Sequence, residues 1–462
     1  MSHAFTQFAE KWYPDAFVFV LCGVLIVGVA NLFTAANYLD IPKAFGNGFW
    51  SLIVFTMQMA MITITGYIVA VSKPCTKLIN WLAAFPSNSR SAVAYVALVS
   101  MACSYIQWAL SLIVGGLLVK ALARRTDIRV DFRAAAAAAY LGLGATWALG
   151  LSSSAAMLQA NKGSLPESIY KISGVIPLTE TIFLWQSFVM LGGIILISVV
   201  IAYMSAPTGN TIVTAEEMGC DVSEINFSDD VPTRPGEKPE FTIFIPLVIV
   251  AIGAGYVITS VQAIGGLNFI SSLNNYNFVF LMLGLLLHGN IRSFLNALHK
   301  AVPGASGVLI QFPFYGAIAT MLTAVPDAGG VTISHHIAEF FVSIANTSTY
   351  PVVIGIYSAI LGFFVPSGGG KWIIEAPYVF EAAKELNNHM GWAVQVYNAA
   401  EAMPNLITPF WMLPLLGMLG LRAKDIVGFC FTQLLVHIPV VLFLLWVLAP
   451  QLAPKIAEAV GG

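Results

Sequence analysis

Phe364-Val365-Pro366-Ser367-Gly368-Gly369-Gly370-Lys371-Trp372 interrupts an apolar segment, 349–386, that is longer than one membrane crossing needs. Three consecutive glycines at membrane depth do not favour a continuous helix. The spacing predicts backbone that unwinds across the glycines and a new helix starting at Lys371, whose free N–H groups and positive dipole end suit an anion. Lys371 then either pairs a carboxylate or faces lipid headgroups. A Gly-rich surface turn is the other reading of the stretch. A second long segment, 91–120, is interrupted in the same way at Ser104-Tyr105-Ile106-Gln107-Trp108.

The surrounding chain fixes the class. Only 21 basic and 23 acidic residues occur among 462, and 58% of the residues are hydrophobic. Mean hydropathy is +0.81. A soluble protein of this length carries far more charge, about 25% of its residues. Apolar runs at 16–35, 50–72, 134–158, 181–204, 241–263, 276–298, 304–325, 392–420 and 426–449 read as full membrane spans of an all-α polytopic protein in a lipid bilayer. The net charge of −2 points away from nucleic acid. Cys22, Cys75, Cys103, Cys220 and Cys430 are scattered and read as apolar fillers. No basic n-region precedes the first span, so Val18–Phe33 reads as a retained helix.

Charge placement orients the two long segments. Lys73, Lys77, Arg90, Lys120, Arg124, Arg125, Arg129 and Arg133 flank 91–119 on both sides, opposed only by Asp127 and Asp131. A segment that enters the membrane and returns keeps both flanks cytoplasmic, so a re-entrant hairpin satisfies the positive-inside rule; two tight full spans would also satisfy it. Irregular backbone at such a tip is tolerated where protein buries it or it lines a cavity. The N-terminus is then cytoplasmic. So is the 205–240 linker, with Glu216, Glu217, Asp221, Glu224, Asp229, Asp230, Glu237 and Glu240. The second hairpin enters from outside, and its flank (Lys371, Glu375, Glu381, Lys384, Glu385) shows no basic excess.

The two halves read alike. Residues 1–204 form a first repeat with hairpin 91–120 and broken helix 134–158. Residues 264–462 form a second, with hairpin 349–386 and broken helix 392–420. A connecting helix at 241–263 turns the second upside down. Each half carries an amphipathic stretch, Cys75–Phe85 or Ser334–Ala345. A shift of 258 positions pairs Asn88 with Asn346 and Ser104–Ser111 with Gly362–Gly369. Inverted repeats with broken helices mark a secondary transporter whose site lies between the halves.

Several constellations supply candidate chemistry. In Asn398-Ala399-Ala400-Glu401-Ala402-Met403-Pro404-Asn405-Leu406-Ile407-Thr408-Pro409, two prolines break a span and free carbonyls near its middle. Asn405 and Thr408 offer oxygen ligands there, for hydrogen bonds or a Na⁺ ion. Glu401 is an acid inside a span, a functional site by default, and its protonation, beside Asn398, could couple transport to H⁺. A structural bond to a polar neighbour is the alternative. In the first half, Gly150-Leu151-Ser152-Ser153-Ser154 is the matching break, and Ser104, Gln107 and Trp108 furnish donors and an aromatic wall at the hairpin tip. Ser367, Gly368, Gly369, Gly370, Lys371 and Trp372 form the second tip; Phe364, Trp372, Trp108 and Trp147 are available to enclose an alkyl tail. His335-His336-x-x-Glu339 reads as a solvated interfacial face. No HExxH, GxSxG or P-loop occurs, so nothing points to an enzyme or an ATP-driven pump.

At Pro366–Trp372 and at Asn405–Gly417 (NLITPFWMLPLLG) the chain resembles the bacterial short-chain fatty acid transporter family, and the resemblance extends to Lys11–Val20 and Ser152–Ala160. It implies uptake of acetoacetate- and butyrate-like acids, placement in the wider ion-transporter superfamily, horizontal arm helices, and a homodimer of protomers with scaffold and elevator-like transport domains. Superfamily tips and breaks hold substrate and often a cation, here at Ser104–Ser111, Ser152–Ser154, Ser367–Gly370 and Asn405–Thr408. Lys371 departs from the uncharged amide expected at its position. The expected function is a carrier for small monocarboxylates in the bacterial inner membrane, coupled to H⁺ or Na⁺ and without a cofactor. A dicarboxylate or amino-acid carrier, or an uncoupled uniporter or channel, is the alternative.

Overall fold

The computed structural model describes residues 16–224, 231–363, 365, 367–449 and 452; Lys11–Asp15, Asp229, Asp230, Phe364 and Pro366 lie outside them. Apart from isolated bridges at Ala35–Asp327 and Pro326–Thr332, regular structure among the described residues is helical. The first half runs through α1 (Ala16–Thr34), α2 (Asp40–Phe49), α3 (Ile53–Ala70), α4 (Lys73–Leu82), α5 (Ser89–Ile106), α6 (Trp108–Ala123), α7 (Phe132–Leu141), α8 (Ser154–Ala160), α9 (Glu167–Ser173) and α10 (Trp185–Ser205). After α11 (Phe244–Ile264) and α12 (Gly266–Ser271), the second half repeats the order. It runs through α13 (Leu273–His288), α14 (Ile291–Ala301), α15 (Ser306–Thr323), α16 (Ile333–Ile344), α17 (Tyr350–Gly362), α18 (Gly368–Glu385), α19 (Met390–Asn405), α20 (Pro409–Leu419) and α21 (Ala423–Leu448).

Two expected spans change. The run 276–298 is two helices: Gly289 adopts left-handed backbone at φ +71, which ends α13, and Asn290 caps α14 by accepting from Ser293 N at 2.8 Å. The 50–72 span starts at Ile53, preceded by the short helix α2. These differences make the halves more alike, because α2 and α14 are counterparts. Contacts repeat accordingly. α1 packs on α15 as α13 packs on α3, and α2 on α15 as α14 on α3. α5 meets α7 and α10 as α17 meets α19 and α21.

Among the described residues, eight helical stretches are long and apolar enough to cross a membrane. In Phe17–Thr34 and Phe244–Ile264 only 11% of each window is buried, so large side chains such as Leu25, Phe33, Phe244 and Ile252 face outward. Lipid satisfies such a surface; water does not. At the other extreme, the window Phe132–Ala160 is 94% buried. Its Ala134–Ala139 run lets α6 approach closely: a Cβ on Gly115 would stand 3.0 Å from Ala139 Cβ.

The acidic linker is docked through its described residues. Glu224 meets Arg124 at 3.1 Å, Glu217 meets Arg129 at 3.0 Å, and Glu240 meets Arg292 at 2.7 Å. Val213 N donates to Asp131 Oδ2 at 2.9 Å. Two residues of the first hairpin's basic flank, Arg124 and Arg129, are thus paired with linker acids, while Arg125 and Arg133 pair with Asp127 and Asp131. On α16, His335 contacts Glu339 and Glu381, and His336 contacts Asp327 and Glu339. Among the described residues, no group of three or more His, Cys, Asp and Glu side chains is arranged to hold a metal ion.

Candidate functional site

Both long interrupted segments fold as two helices joined at a break. In the first, one residue, Gln107, is extended (φ −154, ψ 127) between α5 and α6. Its Oε1 caps α6 by accepting from Leu110 N at 3.1 Å, and its Nε2 donates to Ile62 O at 3.1 Å. Ser104 Oγ donates to Gly142 O at 2.5 Å. Trp108 N donates to Ser152 Oγ at 2.9 Å, and Leu151 N to Tyr105 O at 2.8 Å. This tip is thus tied to the break that follows α7, where a π turn (Gly142–Thr146) and a 3₁₀ turn (Trp147–Leu149) lead to α8. Ser153 caps α8 and donates to Asn398 Oδ1 at 3.2 Å. Ser154 Oγ lies 3.5 Å from Met59 Sδ.

The second tip departs from the unwound backbone expected of its glycines. Ser367 is extended and caps α18, and the helix starts at Gly368 rather than Lys371. Added Cβ atoms explain the composition. One on Gly368 would collide with the Trp147 indole, one on Gly369 would lie 2.9 Å from Phe55, and one on Gly370 would collide with Tyr315. The run lets a helix end wedge between three aromatic rings from α15, α3 and the first-half break. Tyr397 OH fixes the Gly368 carbonyl at 2.5 Å.

One turn further sits a buried charge cluster. Lys371, Glu375 and Glu401 are each 0% exposed. Lys371 Nζ lies 2.7 Å from Glu401 Oε2 and 3.3 Å from Glu375 Oε1. It donates to Ser358 O at 2.6 Å and to Ser358 Oγ at 2.9 Å, and stands 4.7 Å from the Tyr397 ring centroid. Lys371 therefore faces neither headgroups nor an open substrate site. Glu375, taken from the sequence as part of an outer flank, is buried because it follows Lys371 by four residues on the same helix face. That spacing was the available signal.

The second break separates α19 from α20. Asn405 O accepts from Tyr140 OH at 2.7 Å, Thr408 Oγ1 donates to Pro404 O at 2.8 Å, and Asn405 Oδ1 has no hydrogen-bond partner. Asn398 Nδ2 donates to Gln395 Oε1 at 2.7 Å. Trp372 is packed on Phe380 and Tyr397, away from any open space.

Open space lies beside the tips. Two cavities of about 570 and 470 Å³ share Trp108, Gly304, Trp411, Leu413 and Pro414 in their walls. One extends along α6 to Lys120 and Lys300; the other reaches Gln311, Phe312 and Ser367. The Trp108 and Trp411 rings meet edge-on at 5.8 Å. Of the candidate site residues read from the sequence, Trp108 and Ser367 line these walls. Ser104, Gln107 and Ser152–Ser154 hold backbone together, and Phe364 is outside the described residues. Lys120, part of the basic flank in the sequence, also lines a cavity, as do Trp411, inside the Asn405–Gly417 motif, and Gln311, which no sequence pattern marks.

A family profile described as "Short chain fatty acid transporter" matches residues 1–448. Two curated relatives carry the name "Putative short-chain fatty acid transporter". The Escherichia coli protein is 33% identical over 94% of this chain and 96% of its own length. The Haemophilus influenzae protein is 31% identical over 95% and 97%. Two solved structures share the fold. The Alcanivorax borkumensis YdaH transporter, described as having an unusual topology, has a TM-score of 0.59 at 14% identity over 96% of this chain and 99% of its own. Neisseria gonorrhoeae MtrF, described with a class of antimetabolite efflux pumps, has a TM-score of 0.60 at 13% identity over 99% of each chain.

Proposed function

This chain belongs to the short chain fatty acid transporter family, and from that premise we propose that it is a cation-coupled secondary carrier importing short-chain monocarboxylates such as butyrate and acetoacetate across a bacterial inner membrane. The observation that carries the reading is the cavity between the tips. Its walls are mostly apolar and aromatic with few polar groups, the usual composition of a small-ligand site. A short acid fits with its tail against Trp108, Phe312 and Trp411. Its carboxylate would lie toward Ser367, where α18 begins, and the Gln311 amide.

The approach to this site supports an anion. Lys120 is buried and lines the adjoining cavity, and its ammonium makes no direct hydrogen bond or ion pair with a described residue, Asp221 being the nearby acid. With Lys300 it raises the local concentration of anions at the basic, cytoplasmic end of the first hairpin. The paired contacts of the two halves support an inverted repeat. One cavity lies among α3, α14, α6 and α20 and the other among α1, α15, α6 and α20, so each has first-half and second-half elements in its walls; this is consistent with tips and breaks moving against a scaffold, within a homodimer.

Radiolabelled butyrate or acetoacetate uptake into proteoliposomes, under imposed H⁺ or Na⁺ gradients, tests the reading. Saturable uptake with counterflow is expected. No transport of any C2–C6 monocarboxylate overturns it.

A further inference from the structure

We propose that Lys371, Glu375 and Glu401 form a one-proton site, with the proton held on the two carboxylates, and that this proton is the coupling ion of the carrier. The proposal rests on the carrier reading above and adds to it the identity of the ion, its stoichiometry and a second acceptor, Glu375.

Charge counting comes first. Two carboxylic acids and one ammonium, all fully buried, sum to −1 when ionised. An uncompensated charge out of water is strongly disfavoured, so the site needs one more positive charge. No other Lys, Arg or His of a described residue is in ion-pair contact with Glu375 or Glu401. The titratable groups that face the cluster are phenols, which bring no positive charge: Tyr315 from α15, Tyr357 from α17, Tyr378 from α18 and Tyr397 from α19. From α16, His335 reaches Glu381, six residues beyond Glu375 on α18.

Hydrogen bonding points the same way. Lys371 is at ion-pair distance from both acids, and two of its N–H groups go to Ser358. No well-aligned hydrogen bond reaches any of the four carboxylate oxygens of Glu375 and Glu401, although the Lys371 ammonium stands beside both acids and the Ser358 hydroxyl beside Glu375. A protonated carboxyl supplies the missing donor itself. A metal cation does not suit the place, because the ammonium already stands between the oxygens that would ligate it.

Position makes the site a coupling device. It joins α17 through Ser358, α18 through Lys371 and Glu375, and α19 through Glu401. A Cβ on Gly362, which ends α17, would be 2.6 Å from Pro404 and 3.1 Å from Glu401 Oε2. The cluster therefore lies directly behind both the second tip and the second break, and any change in their spacing alters the Lys371–Glu401 contact. With a monocarboxylate bound, the deprotonated cluster would bring the buried charge to −2, whereas the protonated cluster and the anion together sum to −1, the same as the empty deprotonated carrier, so the anion crosses with its proton and the empty carrier returns without one.

The test uses wild type, Glu375→Gln and Glu401→Gln in proteoliposomes, with labelled butyrate. Each variant leaves one carboxylate for one ammonium and needs no proton. Measured as initial rate above that of protein-free liposomes, which butyric acid enters unaided, wild type should take up butyrate under an inward H⁺ gradient, with one proton per substrate. Both variants should lose this protein-dependent, gradient-driven component while keeping butyrate exchange. Protein-dependent uptake driven by the H⁺ gradient in either variant overturns the proposal, as does wild-type uptake driven by Na⁺ alone. Absence of counterflow in wild type overturns the carrier reading instead. Infrared spectroscopy of purified protein provides a readout independent of transport. A carboxylic-acid C=O band at neutral pH, shifted in D₂O and lost in both variants, is expected; an unchanged band in both overturns the proton site.

Discussion

The two hairpins share one plan and differ in what they bury. Counted from their first helical residues, which moves the hairpins two positions from the 258 shift of the sequence, Ser111 of α6 corresponds to Lys371 of α18, and Gly115 to Glu375. Leu143, in the π turn that follows α7, stands where Glu401 stands in α19. The first set is neutral and close-packed: Ser111 Oγ donates to Trp108 O at 2.7 Å, and Gly115 lies on Ala139. The second is a charge cluster inside the protein. Both hairpins thus have the same backbone device, a capped break at Gln107 or Ser367, while one half carries small packing residues there and the other carries ionisable ones. Under the proposed coupling, the first half would support and the second would switch.

Breaking the second set should cost most. Lys371→Met leaves two buried carboxylates without their cation, and removal of one partner of a buried pair destabilises by about 3–5 kcal/mol. Ser111→Ala removes one buried hydrogen bond, worth about 1 kcal/mol. Thermal unfolding in detergent should therefore separate the two variants clearly, and Glu401→Gln should partly rescue Lys371→Met. Equal shifts would mean that the cluster is no more than packing. The glycines give a second contrast. Gly368→Ala drives a methyl into the Trp147 indole, and overpacking of this kind costs about 1–3 kcal/mol. Gly115→Ala meets Ala139 at 3.0 Å and should cost less.

The contrast also explains what the sequence revealed. Low charge, apolar runs and paired interruptions were enough for the all-helical class, because lipid leaves so few ways to satisfy a backbone. Gly368–Gly370 read as unwound backbone in the sequence, but they are helical, and the rings of Trp147, Phe55 and Tyr315, distant in sequence, make them a packing device. Lys371 and Glu401 stood out singly. Their pairing across α18 and α19 depended on a tertiary crossing, whereas Glu375 was within reach of an i,i+4 reading and was lost to its assumption as surface. Trp411 and Gln311 gave no local signal, since only the meeting of α20 and α15 makes them walls of one cavity.

A smaller effect separates the ends of the cavities. Lys120→Gln should raise KM for butyrate severalfold at low ionic strength with kcat little changed, and the difference should shrink in high salt, because a charge that concentrates an anion acts through a screened field. Lys120→Arg should retain wild-type KM. A changed kcat with unchanged KM would move Lys120 from the approach into the transport cycle.

The smallest expected effect distinguishes the two amphipathic arms. On α16, His336 Nε2 meets Asp327 Oδ2 at 2.9 Å and Nδ1 meets Glu339 Oε2 at 3.4 Å, tying the arm to the preceding loop; α4 has no such histidine. The hydrogen bonds to Asp327 and then Glu339 raise the His336 pKa above its ordinary value of 6.5, while hydrogen bonds from Val331 N and from His336 hold the Asp327 pKa below the ordinary carboxylate range. A raised histidine pKa contributes stability that is fully present below the unfolded value and is lost as pH rises through the folded one. The lowered aspartate contributes above its unfolded value and is lost as pH falls through its folded one. The tether is therefore strongest between the acidic carboxylate range and mildly acidic pH, and it weakens above neutrality. Both partners are partly exposed, so salt should reduce the effect. Wild type should melt slightly lower at pH 8.5 than at pH 6 beyond any shift shared with His336→Gln, and Asp327→Asn should remove the same increment. An identical pH dependence in His336→Gln would show that the histidine does not tether the second arm.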